Sequence, residues 1–461
     1  MATLIEKKIG EHRGVSRVYI EGLRLAREGF QPGMTYQRII KAEEGKIVLR
    51  LIDSGDYVVS KKNIRDTELP VLDIRTEELT KIAGNSGRVR ILIANKCIVI
   101  LRHFNDEKIA DRMLRMLNEV EQGKLSVASL FHGGGVASGG IHCGLKIAGI
   151  SSKLAMAVEI EDAYIESSLR NNPDLWDENS VVINAGVEGV RYHQSGIPRV
   201  SLLESGIPCT GAASAGKAKL GLTFAEDHPT AGAAFFYTLQ AIDFMNPCLI
   251  VIENVKNYAK TASASIIRSV LGNLGYSMQE ILLKGEDFGA LENRERWIML
   301  ATTIGLEEFI KLDDIYKFRS APPAKIQEIL ESDVDNSRWK EYTYLREKEA
   351  RDIAAGKGFR MQILNEESTS CPTLTRGYSR VRSTDPILSK NDGSDLLRLF
   401  TPAEHARLKT IPESVLDGLS ETIAHQIAGQ SVVYNWFVAI GRLIGDGLQS
   451  YQSTQSKQSA A

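Results

Sequence analysis

Cys209 is the residue of this sequence whose surroundings best suit nucleophilic chemistry. It follows Pro208 and precedes a stretch rich in glycine, alanine and serine, 211–216, whose side chains are too small for a core strand. We therefore expect Cys209 at an exposed strand end, where its thiolate could attack an electrophilic atom. Taken by itself, a single cysteine is more often a small buried apolar side chain, and that alternative stays open.

Two further segments carry groups that could assist such a nucleophile. An apolar strand ends in Glu253 and Asn254, and Arg294 and Arg296 lie two residues apart in a later charged segment. A carboxyl group can transfer or share a proton, and arginine side chains form charge-assisted hydrogen bonds with carboxylates and carbonyls. These four residues complete the candidate catalytic set.

A glycine-rich loop marks the candidate nucleotide-binding end of the fold. After the apolar segment 127–130 come Phe131, His132, Gly133, Gly134 and Gly135. Glycines let the backbone turn sharply and approach a ligand closely. The next apolar segment ends at Glu159, a place where carboxylates bind ribose hydroxyls in dinucleotide-binding folds. NAD, FAD and S-adenosylmethionine all fit this pattern, and a glycine-rich loop can also serve packing alone.

The elements that must position these groups alternate between strand and helix. Strands are predicted at 127–130, 154–158, 249–252 and 297–301, and a helix is predicted at 162–172. Such alternation predicts an α/β domain with a doubly wound sheet. Residues 429–433 are predicted to start a C-terminal helix.

In this order and spacing the motifs resemble the DNA cytosine-C5 methyltransferase family, above all its prokaryotic and phage members. The resemblance covers roughly residues 126–447 and rests on the motifs 131–135, 208–209, 253–255, 294–296, 373–376, 398–408 and 429–433. Each motif is short, but chance agreement of the ordered set is improbable. The resemblance implies a Rossmann-like, S-adenosylmethionine-dependent methyltransferase sheet with a smaller target-recognition domain.

The chemistry of the family assigns a role to each catalytic residue. Cytosine C5 is a poor nucleophile, and a thiolate that adds to C6 activates it towards a methyl donor. The resemblance therefore makes Cys209 the nucleophile, Glu253 the partner of N3 of the base, and Asn254 a residue that fixes the loop geometry. Arg296 and Arg294 would hold the base carbonyl and the carboxyl group.

The resemblance also implies the cofactor, S-adenosyl-L-methionine. Its expected binding residues are Phe131, His132, Gly133, Gly134, Gly135, Glu159, Ile160, Pro208, Gln430, Ser431 and Val432. Ser431 and Val432 would hold the methionine end.

Double-stranded DNA is the expected partner, and the target cytosine must be flipped out of the helix to be reached. The glycine-containing loop 211–221 would close on the DNA. The residues expected to contact DNA are Lys217, Lys219, Arg376, Arg380 and Arg382. The alternative is that these side chains are solvated surface charges.

The sequence departs from the pattern of the family in five places. One is that the Asp that contacts adenine in the family is not evident, although Asn184 and Glu188 lie near its expected position. Thr210 and Glu292 stand where the family has Gln, Gln430 stands where it has Asn, and Ser129 stands where an acidic residue is common. The nucleophile, the carboxyl group and both arginines are retained. Weak activity, relaxed specificity or an altered cofactor pocket are therefore left open.

The predicted organisation has five parts. They are an N-terminal β-rich module (1–123), a catalytic methyltransferase domain (124–303), a target-recognition region (304–395), a segment that returns to the catalytic domain (396–448) and a disordered tail (449–461). Residues 29–51 resemble the half-barrel unit of swapped-hairpin DNA-binding domains, and 87–103 could be a weaker second copy. The alternative is a small β domain with another role, such as dimerisation.

Bulk composition restricts the class of protein. The 461 residues carry a net charge of −2, so DNA contacts must come from local basic patches. Five cysteines without a Cys-x-x-Cys pair argue against a disulfide framework or a zinc site, and we expect no metal. Because we find neither a signal peptide nor a membrane span, we expect a cytoplasmic, nucleoid-associated protein with no membrane partner.

These observations predict a DNA (cytosine-5-)-methyltransferase. The first alternative is methylation of RNA cytosine, because one branch of the family acts on tRNA; the N-terminal module argues mildly for DNA. The second alternative is a DNA-binding regulator with a decayed catalytic domain, and the retained catalytic residues argue against it.

Overall fold

The computed structural model describes residues 2–41, 44–64, 67–194, 196–209, 211–212 and 221–459. The chain divides into two compact units, Met1–Asp111 and Arg112–Ala461. The division lies inside one helix, Phe104–Glu121, and so before the domain boundary predicted at residue 123. The second half of this helix belongs to the C-terminal unit, because its apolar side chains pack into the core of that unit.

The N-terminal unit consists mainly of antiparallel strands. Its strands are β1 (Thr3–Lys8), β2 (Gly10–His12), β3 (Val15–Glu21), β4 (Thr35–Lys41), β5 (Lys46–Leu51), β6 (Tyr57–Val58), β7 (Ser60–Ile64), β8 (Thr67–Arg75), β9 (Arg88–Ala94) and β10 (Cys97–Arg102). Its helices are α1 (Leu23–Arg27) and α2 (Glu78–Ala83). One sheet has the order β1-β9-β10-β5-β4-β6 and the other the order β2-β3-β8-β7. The predicted β-rich character of this region is confirmed.

An internal repeat relates the two halves of this unit. The order of strand, helix and hairpin occurs as β3-α1-β4-β5 and again as β8-α2-β9-β10. Equivalent strands pair with each other, β3 with β8 and β5 with β10. Segments 29–51 and 87–103 therefore contain equivalent hairpins around one core. Alternate side chains of β9, such as Ile91 and Ile93, point into that core, as the period of a strand requires.

A seven-stranded mixed sheet forms the centre of the C-terminal unit. The strands of this part of the chain are β11 (Leu125–Leu130), β12 (Ser152–Glu159), β13 (Val181–Asn184), β14 (Leu202–Gly206), β15 (Leu249–Asn254), β16 (Tyr276–Lys284), β17 (Glu292–Asn293) and β18 (Glu295–Thr303). The order in the sheet is β13-β12-β11-β14-β15-β18-β16. The pairs from β13 to β15 are parallel, and β18 is antiparallel to both β15 and β16.

Helices alternate with these strands. They are α3 (Phe104–Glu121), α4 (Val136–Ile147), α5 (Asp162–Asn171), α6 (Ala234–Met245) and α7 (Ala262–Asn273), followed later by α8 (Thr343–Ala354), α9 (Pro402–Leu408), α10 (Glu421–Gln430) and α11 (Tyr434–Ser459). Since α4 follows β11, α5 follows β12 and α7 follows β15, the predicted α/β class is confirmed.

The strand order creates a crevice at one edge of the sheet. β11 continues through α4 to β12 on one side, whereas its other neighbour, β14, comes later in the chain. Ligands of open α/β sheets bind outside the carboxyl ends of the strands at such a point. Phe131 follows β11, Glu159 ends β12, Cys209 follows β14, and Glu253 lies near the end of β15. All four residues therefore reach the same edge.

The segment after β18 has a small core of its own. It contains β19 (Gln362–Leu364), β20 (Cys371–Pro372), β21 (Pro386–Ser389) and β22 (Leu397–Arg398). β19, β21 and β22 form a sheet, and β20 pairs with β17. Ile326, Leu374, Tyr378 and Phe400 are buried together in its centre. This region overlaps the segment predicted to recognise the target, 304–395.

The C-terminal helix α11 returns to α4 at very short range. A Cβ atom at Gly144 would lie 2.1 Å from the carbonyl oxygen of Val438, and a Cβ atom at Gly441 would lie 2.3 Å from that of Ile141. Only glycine permits such an approach, so these positions bring the end of the chain onto the first helix of the sheet.

Two predictions about the C-terminal part are wrong. Residues 429–433 do not start a helix: α10 ends at Gln430, and 431–433 connect it to α11. The tail is not disordered from 449, because α11 continues to Ser459. Tyr451 packs edge-on against Phe309, and the Gln449 side chain donates a hydrogen bond to the Ala148 carbonyl oxygen at 2.6 Å. These tertiary contacts outweigh the polar composition of the segment.

Arg112 is 1% exposed and ties α3 to the C-terminal unit. Its Nη2 donates to the carbonyl oxygens of Leu274 at 3.0 Å and Gly275 at 2.7 Å, and its guanidinium lies 3.8 Å from the ring centre of Tyr276. We predict that Arg112→Leu lowers the free energy of unfolding by about 3 kcal/mol, because two buried carbonyls lose their donor. Urea unfolding would measure the change.

The control is Leu114→Ala on the same helix, where the side chain is 61% exposed. We expect that substitution to change stability by no more than about 0.5 kcal/mol. Equal effects of the two variants would contradict the anchoring role of Arg112.

Candidate active site

A cavity of about 490 Å³ lies at the carboxyl edge of the sheet, within the volume range of small-molecule sites. The predicted site residues that line it are Phe131, His132, Gly133, Gly134, Glu159, Ile160, Pro208, Cys209, Glu253, Arg294, Arg296, Arg376, Gln430, Ser431 and Val432. The fold therefore brings the glycine-rich loop, the Pro-Cys segment and the C-terminal motif to one place.

The other predicted residues lie away from this cavity or outside the description. Those that are described but do not line it are Gly135, Asn254, Arg380 and Arg382. Gly135 has a φ of 80°, and a Cβ atom there would lie 2.6 Å from Oγ of Ser168, so close packing explains this glycine. Lys217, Lys219 and Thr210 lie outside the described residues.

Cys209, Glu253 and Arg296 come together from three strands. Cys209 follows β14, and Glu253 lies near the end of the neighbouring strand β15. Arg296 lies at the start of β18, and the antiparallel pairing of β18 with β15 brings its guanidinium to that end. Nε of Arg296 is 2.9 Å from Oε1 of Glu253. This ion pair orients the carboxylate at the edge where the thiol lies.

The charges around Cys209 act in opposite directions on its thiol. Burial raises the pKa of Cys209, and the Glu253 carboxylate raises it further, whereas Arg296 and Arg294 lower it. Because the net effect is upward, the resting side chain is a protonated thiol at neutral pH. The two guanidinium groups favour the thiolate once a base removes the proton.

Asn254 positions the segment that carries the thiol. Its Nδ2 donates to the carbonyl oxygen of Ile207 at 2.9 Å, and its Oδ1 accepts from the Val255 amide at 2.8 Å. The side chain is buried and fastens the end of β15 to the residues just before Cys209. It acts through the backbone and does not line the cavity.

Glu292, one of the departures from the family pattern, belongs to a buried charge cluster. Its Oε1 lies 3.3 Å from Nη1 of Arg294, and its Oε2 lies 3.3 Å from Nζ of Lys409. Lys409 also donates to the carbonyl oxygens of Ala428 at 2.6 Å and Gly429 at 3.3 Å. Burial lowers the pKa of Lys409, and the Glu292 carboxylate opposes that change. The acidic side chain thus has a cationic partner that sequence reasoning missed.

The glycine-rich loop is fastened to Glu159. The Gly133 amide donates to Oε2 of Glu159 at 2.6 Å, and the Glu161 amide donates to Oε1 at 2.9 Å. The side chain of Gln430 comes close to the same loop, since a Cβ atom at Gly133 would lie 3.5 Å from its Nε2. Glu159 therefore shapes the loop as well as lining the cavity.

Arg376 lies at the cavity beside β12 and α5. Its Nη2 is 2.8 Å from Oε1 of Glu161, and its guanidinium lies 5.5 Å from the ring centre of Tyr164. Of the three arginines expected to contact DNA, Arg376 lines this cavity, whereas Arg380 and Arg382 do not.

Glu204 lines the cavity and was missed from the sequence. It lies in β14, directly after Leu202 and Leu203, and is 3% exposed. Hydrogen bonds join its carboxylate to two serines, Ser129 and Ser138. The signal that could have revealed it is an acidic residue directly after two leucines in the buried strand that leads to Pro-Cys.

Two features are absent from the part of the chain that the structure describes. No three or more His, Cys, Asp or Glu side chains there are placed so that they could hold a metal ion. Among the same residues, no helix has the length and apolar character needed to cross a bilayer.

Comparisons with known proteins agree with this geometry. The type II methyltransferase M.SsoII of Shigella sonnei is 30% identical over 271 residues, which cover 56% of this chain and 68% of that protein. The tRNA (cytosine(38)-C(5))-methyltransferase of Schizosaccharomyces pombe is 28% identical over 222 residues, 43% of this chain and 64% of that protein. The crystal structure of S. pombe Dnmt2 methyltransferase has the same fold, with a TM-score of 0.54, 23% identity, and coverage of 71% of this chain and 99% of that one.

A family model described as C-5 cytosine-specific DNA methylase matches residues 125–446. The match begins at the first residue of β11 and ends within α11, so it includes the whole central sheet. The resemblance inferred from the ordered motifs is thereby confirmed. The chain belongs to the C-5 cytosine-specific DNA methylase family.

Proposed function

We propose that this chain transfers a methyl group from S-adenosylmethionine to C5 of a cytosine in a specific sequence of double-stranded DNA. The observation that carries the proposal is that Cys209, Glu253 and Arg296 line the same cavity as the glycine-rich loop and Glu159. A nucleophile, a group that can bond to the base and a nucleotide-binding loop are thus within one site.

The residues of the cavity fit S-adenosylmethionine. Its sulfonium centre supplies an electrophilic methyl group when it is bound. Glu159 lies at the end of β12, the usual place of a carboxylate that accepts from ribose hydroxyls. The buried Glu204 carboxylate lacks a cationic partner among the described residues, which suits a positively charged ligand. Ser431 and Val432 would hold the methionine end.

Cys209 begins the reaction on the cytosine. As its proton leaves to a base, the sulfur forms a bond to C6, and the electron pair of the C5–C6 double bond shifts so that C5 becomes nucleophilic. Glu253, held by Arg296, hydrogen-bonds to N3 and stabilises the charge that develops on the ring. After C5 has gained the methyl group, a base removes the C5 proton, the double bond returns and the Cys209 thiolate leaves.

The base must leave the duplex to reach the half-buried Cys209 thiol in the cavity. We assign closure over the flipped base to the loop 211–221, with phosphate contacts from Lys217 and Lys219. Arg380 and Arg382 would contact DNA outside the cavity, whereas Arg376 is paired with Glu161 and would act at its rim. The region 304–395 would read the target sequence.

RNA is the second candidate substrate, because one relative is named a tRNA methyltransferase. DNA is favoured by the family model, which describes DNA methylases, and by the type II relative. The N-terminal unit, with two equivalent hairpins paired through β5 and β10, is proposed to add DNA affinity.

We predict that Cys209→Ala lowers methylation by at least about a thousandfold, because no other group can form the bond to C6. DNA binding should remain. Bisulfite sequencing of plasmid DNA from cells that express each chain would measure protected cytosines and reveal their sequence context. Asn254→Ala should retain the nucleophile and slow the reaction less.

Equal protection by the Cys209→Ala chain would refute the covalent mechanism. If neither the wild-type chain nor the variant protects plasmid cytosines, the same pair tested on tRNA would decide between the two substrates.

We predict that removal of residues 2–103, which ends before α3, weakens DNA affinity by about tenfold or more and reduces its dependence on salt. The reason is the loss of cationic contacts made by the N-terminal unit, while the cavity remains complete. Fluorescence anisotropy with labelled duplex DNA over a salt series would measure both quantities. Unchanged affinity and salt slope would point to a structural or oligomerising role instead.

A further inference from the structure

We propose that Glu204 binds the α-ammonium group at the amino-acid end of the cofactor. The inference rests on the proposed function, since it names the residue that recognises one part of S-adenosylmethionine. It follows from the position of Glu204, its hydrogen bonds and its charge environment.

Glu204 in β14 lies beside Ser129 in the neighbouring strand β11. The two residues are direct partners in the parallel pairing of β11 with β14. The related family commonly has an acidic residue at the position of Ser129, and here the carboxylate lies one strand further along. Glu204 is 3% exposed, and it lines the cavity that also holds Cys209.

The hydrogen bonds around Glu204 suit its ionised form. Oε1 accepts from Oγ of Ser129 at 2.5 Å and from Oγ of Ser138 at 2.5 Å. Nδ1 of His132 lies 2.9 Å from Oγ of Ser129, and its Nε2 lies 2.7 Å from Oγ of Ser168. If Nδ1 carries the proton, it donates to Ser129, whose hydroxyl donates to Glu204, and Nε2 accepts from the Ser168 hydroxyl, so no two donors or acceptors conflict. Both hydroxyls that reach the carboxylate donate to the same oxygen.

The carboxylate has no protein cation to balance it within the described residues. The groups that act on it are its own burial, the two serine hydroxyls and the Glu253 carboxylate. Burial is the largest of these effects and raises the pKa of Glu204 to about 7. A buried carboxylate without a counter-charge is unfavourable, so a cationic ligand in the cavity would both stabilise its ionised form and gain affinity.

The charged end of the cofactor fits this requirement. S-adenosylmethionine has an α-ammonium group, and S-adenosylhomocysteine keeps that group while lacking the sulfonium charge. Methylthioadenosine contains the adenosine part without the amino acid. These three molecules therefore separate recognition of the ammonium from recognition of the sulfonium and of the nucleoside.

The test is calorimetric binding of S-adenosylhomocysteine and methylthioadenosine to the full chain and to Glu204→Gln. We expect the variant to bind S-adenosylhomocysteine about 10- to 100-fold more weakly, because a charge-assisted hydrogen bond is lost. Its affinity for methylthioadenosine should stay within about twofold of wild type.

Glu119→Gln is the matched control. The Glu119 carboxylate also accepts from a serine hydroxyl, that of Ser126 at 2.7 Å, but does not line the cavity. Its substitution should leave the affinity for both ligands unchanged.

The pH dependence of the wild-type chain provides a second test that needs no variant. Lowering the pH from about 8 to about 6 protonates Glu204, so the affinity for S-adenosylhomocysteine should fall while that for methylthioadenosine stays constant. The titratable groups around Glu204 are the Glu253 carboxylate, which acts on it through space, and the His132 imidazole, which reaches it through the Ser129 and Ser138 hydroxyls. Burial lowers the pKa of His132 to about 3, so this imidazole stays neutral over the range.

Three results would overturn the assignment. Equal losses for both ligands in Glu204→Gln would show a structural role for the carboxylate. If calorimetry with S-adenosylmethionine shows weaker binding to Glu204→Gln while binding of S-adenosylhomocysteine is unchanged, Glu204 would be assigned to the sulfonium instead. A pH-independent affinity of the wild-type chain would refute the charge argument. If the wild-type chain binds neither cofactor form, the proposed function itself fails.

Discussion

The site depends on one constraint of parallel sheets: strands that run in the same direction present their carboxyl ends at the same edge. In this chain β11, β12, β14 and β15 are paired in parallel, so the residues that follow or end them share a crevice. The proposed nucleophile, Cys209, follows β14, and Glu253 lies near the end of the adjacent strand β15. The antiparallel strand β18 then brings Arg296 to the same end, where it pairs with Glu253.

A second constraint brings the C-terminal segment of the chain to the same cavity. Glycines at 144 and 441 let α11 approach α4 at backbone distance, and α10 therefore ends beside the glycine-rich loop. Gln430, Ser431 and Val432 line the cavity for this reason. Residues 430–432 therefore reach the cavity because the contact between α4 and α11 holds them beside the glycine-rich loop. Their local sequence alone would not place them at this position.

Two departures from the family pattern have their explanation in neighbours that are remote in the chain. Glu292 is matched by Lys409, so its charge is paired inside the protein. Ser129 is paired in register with Glu204, which restores a carboxylate at that level of the sheet. In each case the changed residue contacts a residue remote in the chain: Lys409 forms an ion pair with Glu292, and Glu204 accepts a hydrogen bond from Ser129.

The sequence by itself determined the family, the α/β class and most of the cavity residues, because short motifs at strand ends specify local chemistry and periodicity specifies local structure. It did not determine the limits of the units or the helical C-terminal segment. Nor did it reveal Lys409 as the partner of Glu292, or Glu204 as the partner of Ser129. Those features depend on contacts between residues far apart in the chain, such as Tyr451 with Phe309. Only the tertiary structure decides them, since burial and pairing are properties of the folded arrangement and not of a local pattern.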